Sequence, residues 1–161
     1  IGTGLVGSEM CIRDSDYPGI TTDRMLVDAI TTRMVLQPQS LDTIVATNLH
    51  ADILSDLAAA LSGSLGIGPT ANINPERTFP SMFEPIHGSA FDLVGKDLAN
   101  PLGAFWSCVM MLEHLQEKKG ASLLMSAIEE VCQEGRHLPK DLGGNSCTGE
   151  VTTAVCAALK K

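Results

Sequence analysis

The chain has 161 residues, 44% hydrophobic and 19% charged, enough apolar material for a globular core and the wrong composition for a disordered or fibrous protein. Lys plus Arg number 11 against 19 Asp plus Glu, and the net charge of −8 has the wrong sign for tracking nucleic acid or an anionic membrane. No apolar run reaches the roughly 18 residues of a bilayer span, since Leu102 to Leu112 is broken by Gly103 and Ser107.

In chain order, Gly2-Thr3-Gly4-Leu5-Val6-Gly7 matches G-x-G-x-x-G, and Asp28 lies 21 residues beyond Gly7. A dinucleotide turn of that kind follows a strand, yet only Ile1 precedes Gly2, and Pro18-Gly19 interrupts the stretch a helix would need. The run from Val6 to Ser15 instead resembles a translated sequencing adapter. Residues 1–15 are therefore expected to be foreign, with the genuine protein beginning near Asp16 and lacking its amino-terminal part.

Leu26, Ile30 and Met34 recur at helical spacing over 25–36, and Pro38 pushes Gln37 out of helical conformation. Ile44 and Val45 predict a strand within 41–47, feeding a helix marked by Ile53, Leu57 and Leu61 that stops near Gly63. Residues 63–90 are rich in Gly, Pro, Ser and Asn and read as loops and brief strands. Pro101 suits a first helical position, with Asn100 as its cap, ahead of Leu102, Trp106, Val109 and Met110. A helix over 122–134 carries Leu124, Ala127, Ile128 and Val131 and ends at Gly135. Val151, Val155 and Leu159 mark the last helix.

The five cysteines (Cys11, Cys108, Cys132, Cys147, Cys156) are odd in number and form no C-x-x-C pair, which predicts a reducing, cytoplasmic setting. Cys108, Cys132 and Cys156 fall in apolar helical patterns and read as small core residues. Asp52 and Asp56, four apart, share one helix face, so their like charges repel unless an oxygen-seeking cation such as Mg²⁺ or Mn²⁺ lies between them. The competing reading is that acids near a helix start complement its dipole.

The run from Asn48 to Leu57, Gly63-Ser64-Leu65-Gly66, Phe83-Glu84-Pro85-Ile86-His87-Gly88-Ser89-Ala90, Gly95-Lys96, Ala99-Asn100-Pro101 and Asp141-Leu142-Gly143-Gly144 resemble the β-decarboxylating dehydrogenases, which include isocitrate and isopropylmalate dehydrogenases. The resemblance covers residues 17–161. It is nearest the tartrate and D-malate dehydrogenase branch through Leu36-Gln37-Pro38, the loop from Ala71 to Arg77 before Phe79-Pro80-Ser81, and Trp106-Ser107. His50-Ala51 departs from the Phe-Gly that some members carry before the first aspartate.

The resemblance implies an α/β, isopropylmalate dehydrogenase-like fold with parallel strands, unlike a Rossmann domain, of which this chain is the carboxyl-terminal portion. It implies that Asp52 and Asp56 bind the divalent metal and that Asp28 completes the same site on a neighbouring subunit, so that a homodimer is expected. It also implies that His87, Gly88, Ser89, Ala90, Asp92 and Asn100 bind NAD. At Asp92 a carboxylate can accept from ribose hydroxyls and repels a 2′-phosphate, which favours NAD over NADP. Phe91 replaces a proline common in that loop. The implied activity is oxidation and β-decarboxylation of a 2-hydroxy dicarboxylic acid. The family's lysine base, tyrosine acid and substrate-binding arginines precede these motifs and have no match here, the only tyrosine being Tyr17, so the 161 residues alone are expected to be inactive. Isopropylmalate dehydrogenase, or a non-catalytic regulatory module of the same fold, is the alternative.

Overall fold

The computed structural model describes residues 16–160, so the readings of Gly2 to Gly7, of residues 1–15 and of Cys11 lie outside the described residues. The chain divides into two compact units between Ser40 and Leu41.

The first unit holds helix α1, Val27–Leu36. Its single buried side chain is Met34, whereas Leu26, expected on the apolar face, stands before the helix in extended conformation and is exposed. Gln37, at φ −144°, leaves the helix as Pro38 requires. Arg33 ties the exit down: its guanidinium donates to the Ser40 hydroxyl at 2.8 Å and carbonyl at 3.1 Å and pairs with Asp23 at 3.2 Å.

In the second unit, residues 41–47 run without paired strand structure. The predicted strand there is corrected: Val45 is almost wholly exposed, and among the described residues no strand lies beside it to close a ladder. Helix α2, Asn48–Leu61, follows. It buries Leu54, while Ile53 and Leu61 are exposed, a rotation of the expected apolar face toward the side on which the helix packs against the turn Leu65–Ile67. Strands β1, Pro69–Asn72, and β2, Met82–Pro85, pair antiparallel with Thr70 opposite Glu84. The expected parallel arrangement is thus not seen among the described residues, whose sheet is this one hairpin. Its nine-residue connection is held by the Asn74 side chain, which accepts from the Thr78 and Phe79 amides at 2.9 and 3.3 Å.

Helices α3, Leu102–His114, α4, Lys118–Glu134, and α5, Thr148–Ala158, build the core. The predicted face Leu124, Ala127, Ile128 and Val131 is buried, and Val151 and Val155 are fully enclosed, each burial stabilising by about 1.5–3 kcal/mol. Gly135 ends α4 at φ 69°, the left-handed cap its position predicts. Cys108 and Cys132 pack against this core; Cys156 and Leu159 face outward, contrary to expectation, because α5 meets the core only through its Val151 and Val155 side. No helix among the described residues is long and apolar enough to cross a membrane.

Candidate functional site

A cavity of about 840 Å³ opens in the second unit between the end of α2, the loop after β2 and the start of α3. That volume lies within the roughly 300–1,000 Å³ of small-molecule and cofactor sites. Of the six residues expected to hold a cofactor, His87, Gly88, Ala90 and Asn100 line it. Ser89 and Asp92 belong to the same loop, are exposed, and do not line the cavity. The wall is open at Gly88, where an added β-carbon would meet nothing within 4 Å. Ala90 takes a left-handed conformation, φ 42°, which turns the chain into the short helical turn Phe91–Leu93 that carries Asp92. For a residue with a β-carbon that conformation costs about 1–2 kcal/mol.

Asn100 carries two roles at once. Its Oδ1 accepts from the Leu102 amide at 2.9 Å, capping α3 as predicted, and its Nδ2 donates to Asp141 Oδ2 at 2.9 Å. Asp141 Oδ2 also accepts from the hydroxyl of Ser64, which is buried and itself accepts from the Gly66 amide at 2.9 Å. Ser64, Gly66, Lys140 and Asp141 line the same cavity. Sequence reasoning quoted Ser64 and Asp141 within motifs without giving either a role, and nothing in their separation of 77 positions announces that they meet.

The aspartates expected at a metal behave differently. Asp52 and Asp56 are both exposed on α2, and among the described residues neither has a basic side chain within ion-pair distance. Asp52 Oδ2 accepts one long hydrogen bond, 3.4 Å, from Asn48 Nδ2. The donor chemistry suits a hard divalent cation, and the unneutralised like charges one turn apart leave room for one. Two carboxylates are an incomplete set, however, and no cluster of three or more His, Cys, Asp or Glu capable of holding a metal occurs among the described residues. Asp28 belongs to the first unit, exposed in the first turn of α1, where its Oδ1 accepts from the Ala29 amide at 2.8 Å.

Two thiols are shifted. Cys147, at the start of α5, is held above its ordinary value by its hydrogen bond to Asp97, and Cys132 is raised by burial.

A profile of the family described as isocitrate/isopropylmalate dehydrogenase matches residues 8–157. The chain is 65% identical over 144 residues to a probable tartrate dehydrogenase/decarboxylase, TtuC′, of Agrobacterium vitis, covering 89% of this chain and 40% of the relative. It is 46% identical over 149 residues to D-malate dehydrogenase [decarboxylating] of Escherichia coli strain K12, covering 89% of this chain and 41% of the relative. The crystal structure of an isocitrate dehydrogenase from Methylococcus capsulatus superposes with a TM-score of 0.90 at 39% identity, over 99% of this chain and 47% of that one. The chain thus spans about two fifths of the length of the curated relatives it matches. On that match and that superposition, the chain belongs to the isocitrate/isopropylmalate dehydrogenase family and has its α/β fold.

Proposed function

We propose that the chain is the carboxyl-terminal portion of an NAD- and divalent-metal-dependent dehydrogenase that oxidises a 2-hydroxy dicarboxylic acid such as tartrate or D-malate and releases its β-carboxylate as carbon dioxide. The observation that carries this reading is the 65% identity to a probable tartrate dehydrogenase/decarboxylase, with the 46% identity to a D-malate dehydrogenase beside it.

In this reading the cavity takes the adenosine half of NAD. The missing side chain of Gly88 lets a ligand approach the backbone, His87 lies against it, Ser89 and Ala90 continue the loop, and Asn100 offers a polar edge. Asp92 accepts from the ribose hydroxyls. Asp52 and Asp56 hold Mg²⁺ or Mn²⁺, and Asp28 of a second copy of the chain completes the set. The metal, when bound, supplies Lewis-acid stabilisation of negative charge on the substrate oxygen. The exposed apolar side chains around α2, Val45 at 94% and Leu49 at 67%, leave surface there for the rest of the longer enzyme or for a second copy of the chain, and a homodimer is part of this reading. A cytoplasmic setting is part of the same reading, and the free thiols of Cys108, Cys132, Cys147 and Cys156 accord with it.

The test is NADH formation by the full-length enzyme with tartrate, D-malate and 3-isopropylmalate in turn, with and without Mn²⁺. Metal-dependent reduction of NAD by tartrate or D-malate is expected. Exclusive turnover of 3-isopropylmalate, or none with any of the three, overturns the assignment.

A further inference from the structure

We propose that Asp141 is a positioning residue for the nucleotide, acting through Asn100 rather than touching the ligand. The inference rests on the reading of the cavity as the NAD site and adds to it a residue outside the six expected to bind the cofactor.

The Asn100 amide has four hydrogen-bonding positions, two donors on nitrogen and two lone pairs on oxygen. One lone pair is committed to the Leu102 amide and one donor to Asp141 Oδ2. Turning the amide over would set oxygen against a carboxylate and nitrogen against a backbone N–H, losing both bonds and adding two repulsions, so its orientation is locked. What remains on the nitrogen is a single N–H for an acceptor in the cavity, such as a nucleoside ring nitrogen or ribose oxygen.

Asp141 in turn is held in place. It accepts from the buried Ser64 hydroxyl, which is fixed by the Gly66 amide. The packing there has no slack: a β-carbon on Gly66 would lie 2.5 Å from Asp141 Oδ2 and 2.8 Å from Asn100 Cβ. Three chain segments, at Ser64, Asn100 and Asp141, therefore meet at one carboxylate oxygen on the cavity wall. A strut whose only purpose was to join segments could be apolar; a carboxylate is suited to choosing which end of an amide faces the ligand.

The test uses the full-length enzyme and reads binding as well as turnover. Asp141→Leu should weaken NAD, and AMP measured by calorimetry, about tenfold, which is about 1.4 kcal/mol, while kcat at saturating NAD moves far less. Asp141→Asn keeps an oxygen acceptor in the same place and should recover most of the loss. Gly88→Val, which adds a side chain where the wall is open, reports on the cavity itself. If Gly88→Val weakens NAD and Asp141→Leu does not, the positioning role is overturned and the cavity reading stands. If Gly88→Val leaves NAD binding unchanged, the cavity reading falls and takes the proposal with it. If affinity merely follows melting temperature across Asp141→Leu and Ser64→Ala, Asp141 is structural and the proposal is overturned.

Discussion

Asp97 reaches across 52 positions to the first turn of α5, where its Oδ1 accepts from the Gly149 amide at 3.2 Å. The Asp97 carbonyl accepts from the Thr148 amide at 2.9 Å, so one residue satisfies two of the helix's free N–H groups and brings a negative charge to its positive end. The loop that carries His87 to Asn100 is thereby fastened to the last helix of the core. Asp97 does this with φ 54°, a left-handed conformation that Asp tolerates better than most residues.

Asp97→Ala should therefore lose about 1–2 kcal/mol in urea unfolding, the cost of a helix cap together with an unsuited φ. Asp97→Asn keeps an oxygen acceptor and the tolerance for that φ, and should lose less than half as much. Equal losses would show that the side-chain oxygen is not what matters. A second readout follows from Cys147, whose thiol is raised chiefly by its hydrogen bond to Asp97. Removing the carboxylate lowers that pKa, leaving more thiolate at a given pH, so alkylation of Cys147 in Asp97→Ala should be faster than in the wild type.

Cys132 gives a pH dependence with a definite sign. Burial raises its pKa above the ordinary 9.0, so the unfolded chain ionises first as pH rises. The contribution to stability is complete below the ordinary value and is lost through the window between it and the raised native value. The stability advantage of the wild type over Cys132→Ala should shrink as pH rises past 9.0 in urea titrations. An unchanged advantage would mean that Cys132 ionises alike in both states.

What was legible in the sequence follows from range. Leu124, Ala127, Ile128 and Val131 repeat at helical spacing inside one element that the core surrounds, and all four are buried. Ile53 and Leu61 repeat as well, but α2 is touched on few sides within its unit, so periodicity chose the wrong neighbour and Leu54 is the side chain enclosed. The same limit governs the strand expected over 41–47, since apolar β-branched residues cannot reveal whether a partner strand exists. At the site, the loop motif found four cavity-lining residues, while the contact of Ser64 with Asp141 depends on how distant segments pack and leaves no local trace.

The two carboxylates of α2 make a prediction independent of catalysis. Like charges at this spacing destabilise a helix by about 0.2–0.5 kcal/mol, so Asp52→Asn and Asp56→Asn should leave the metal-free full-length enzyme as stable as before or slightly more so. Bound metal stabilises only the folded form, and that gain depends on affinity. Each variant should therefore lose most of the rise in melting temperature that Mn²⁺ gives the wild type, along with metal-dependent turnover. A rise that survives both substitutions would place the metal elsewhere.

Asp92 offers the test of cofactor choice. It is exposed on the turn Phe91–Leu93, so a substitution there should change folding stability by no more than about 0.5 kcal/mol. A carboxylate opposes a 2′-phosphate, and a lysine attracts one. For unit charges about 4 Å apart the interaction is about 1 kcal/mol in water and about 4 kcal/mol at the effective dielectric near a protein surface. Reversing the charge with Asp92→Lys should move the ratio of kcat/KM for NADP over NAD upward by at least about tenfold in the full-length enzyme. The change should come through weaker NAD and stronger NADP binding, and should fade as salt is raised because the group is exposed. A ratio unchanged at low ionic strength would remove Asp92 from cofactor selection.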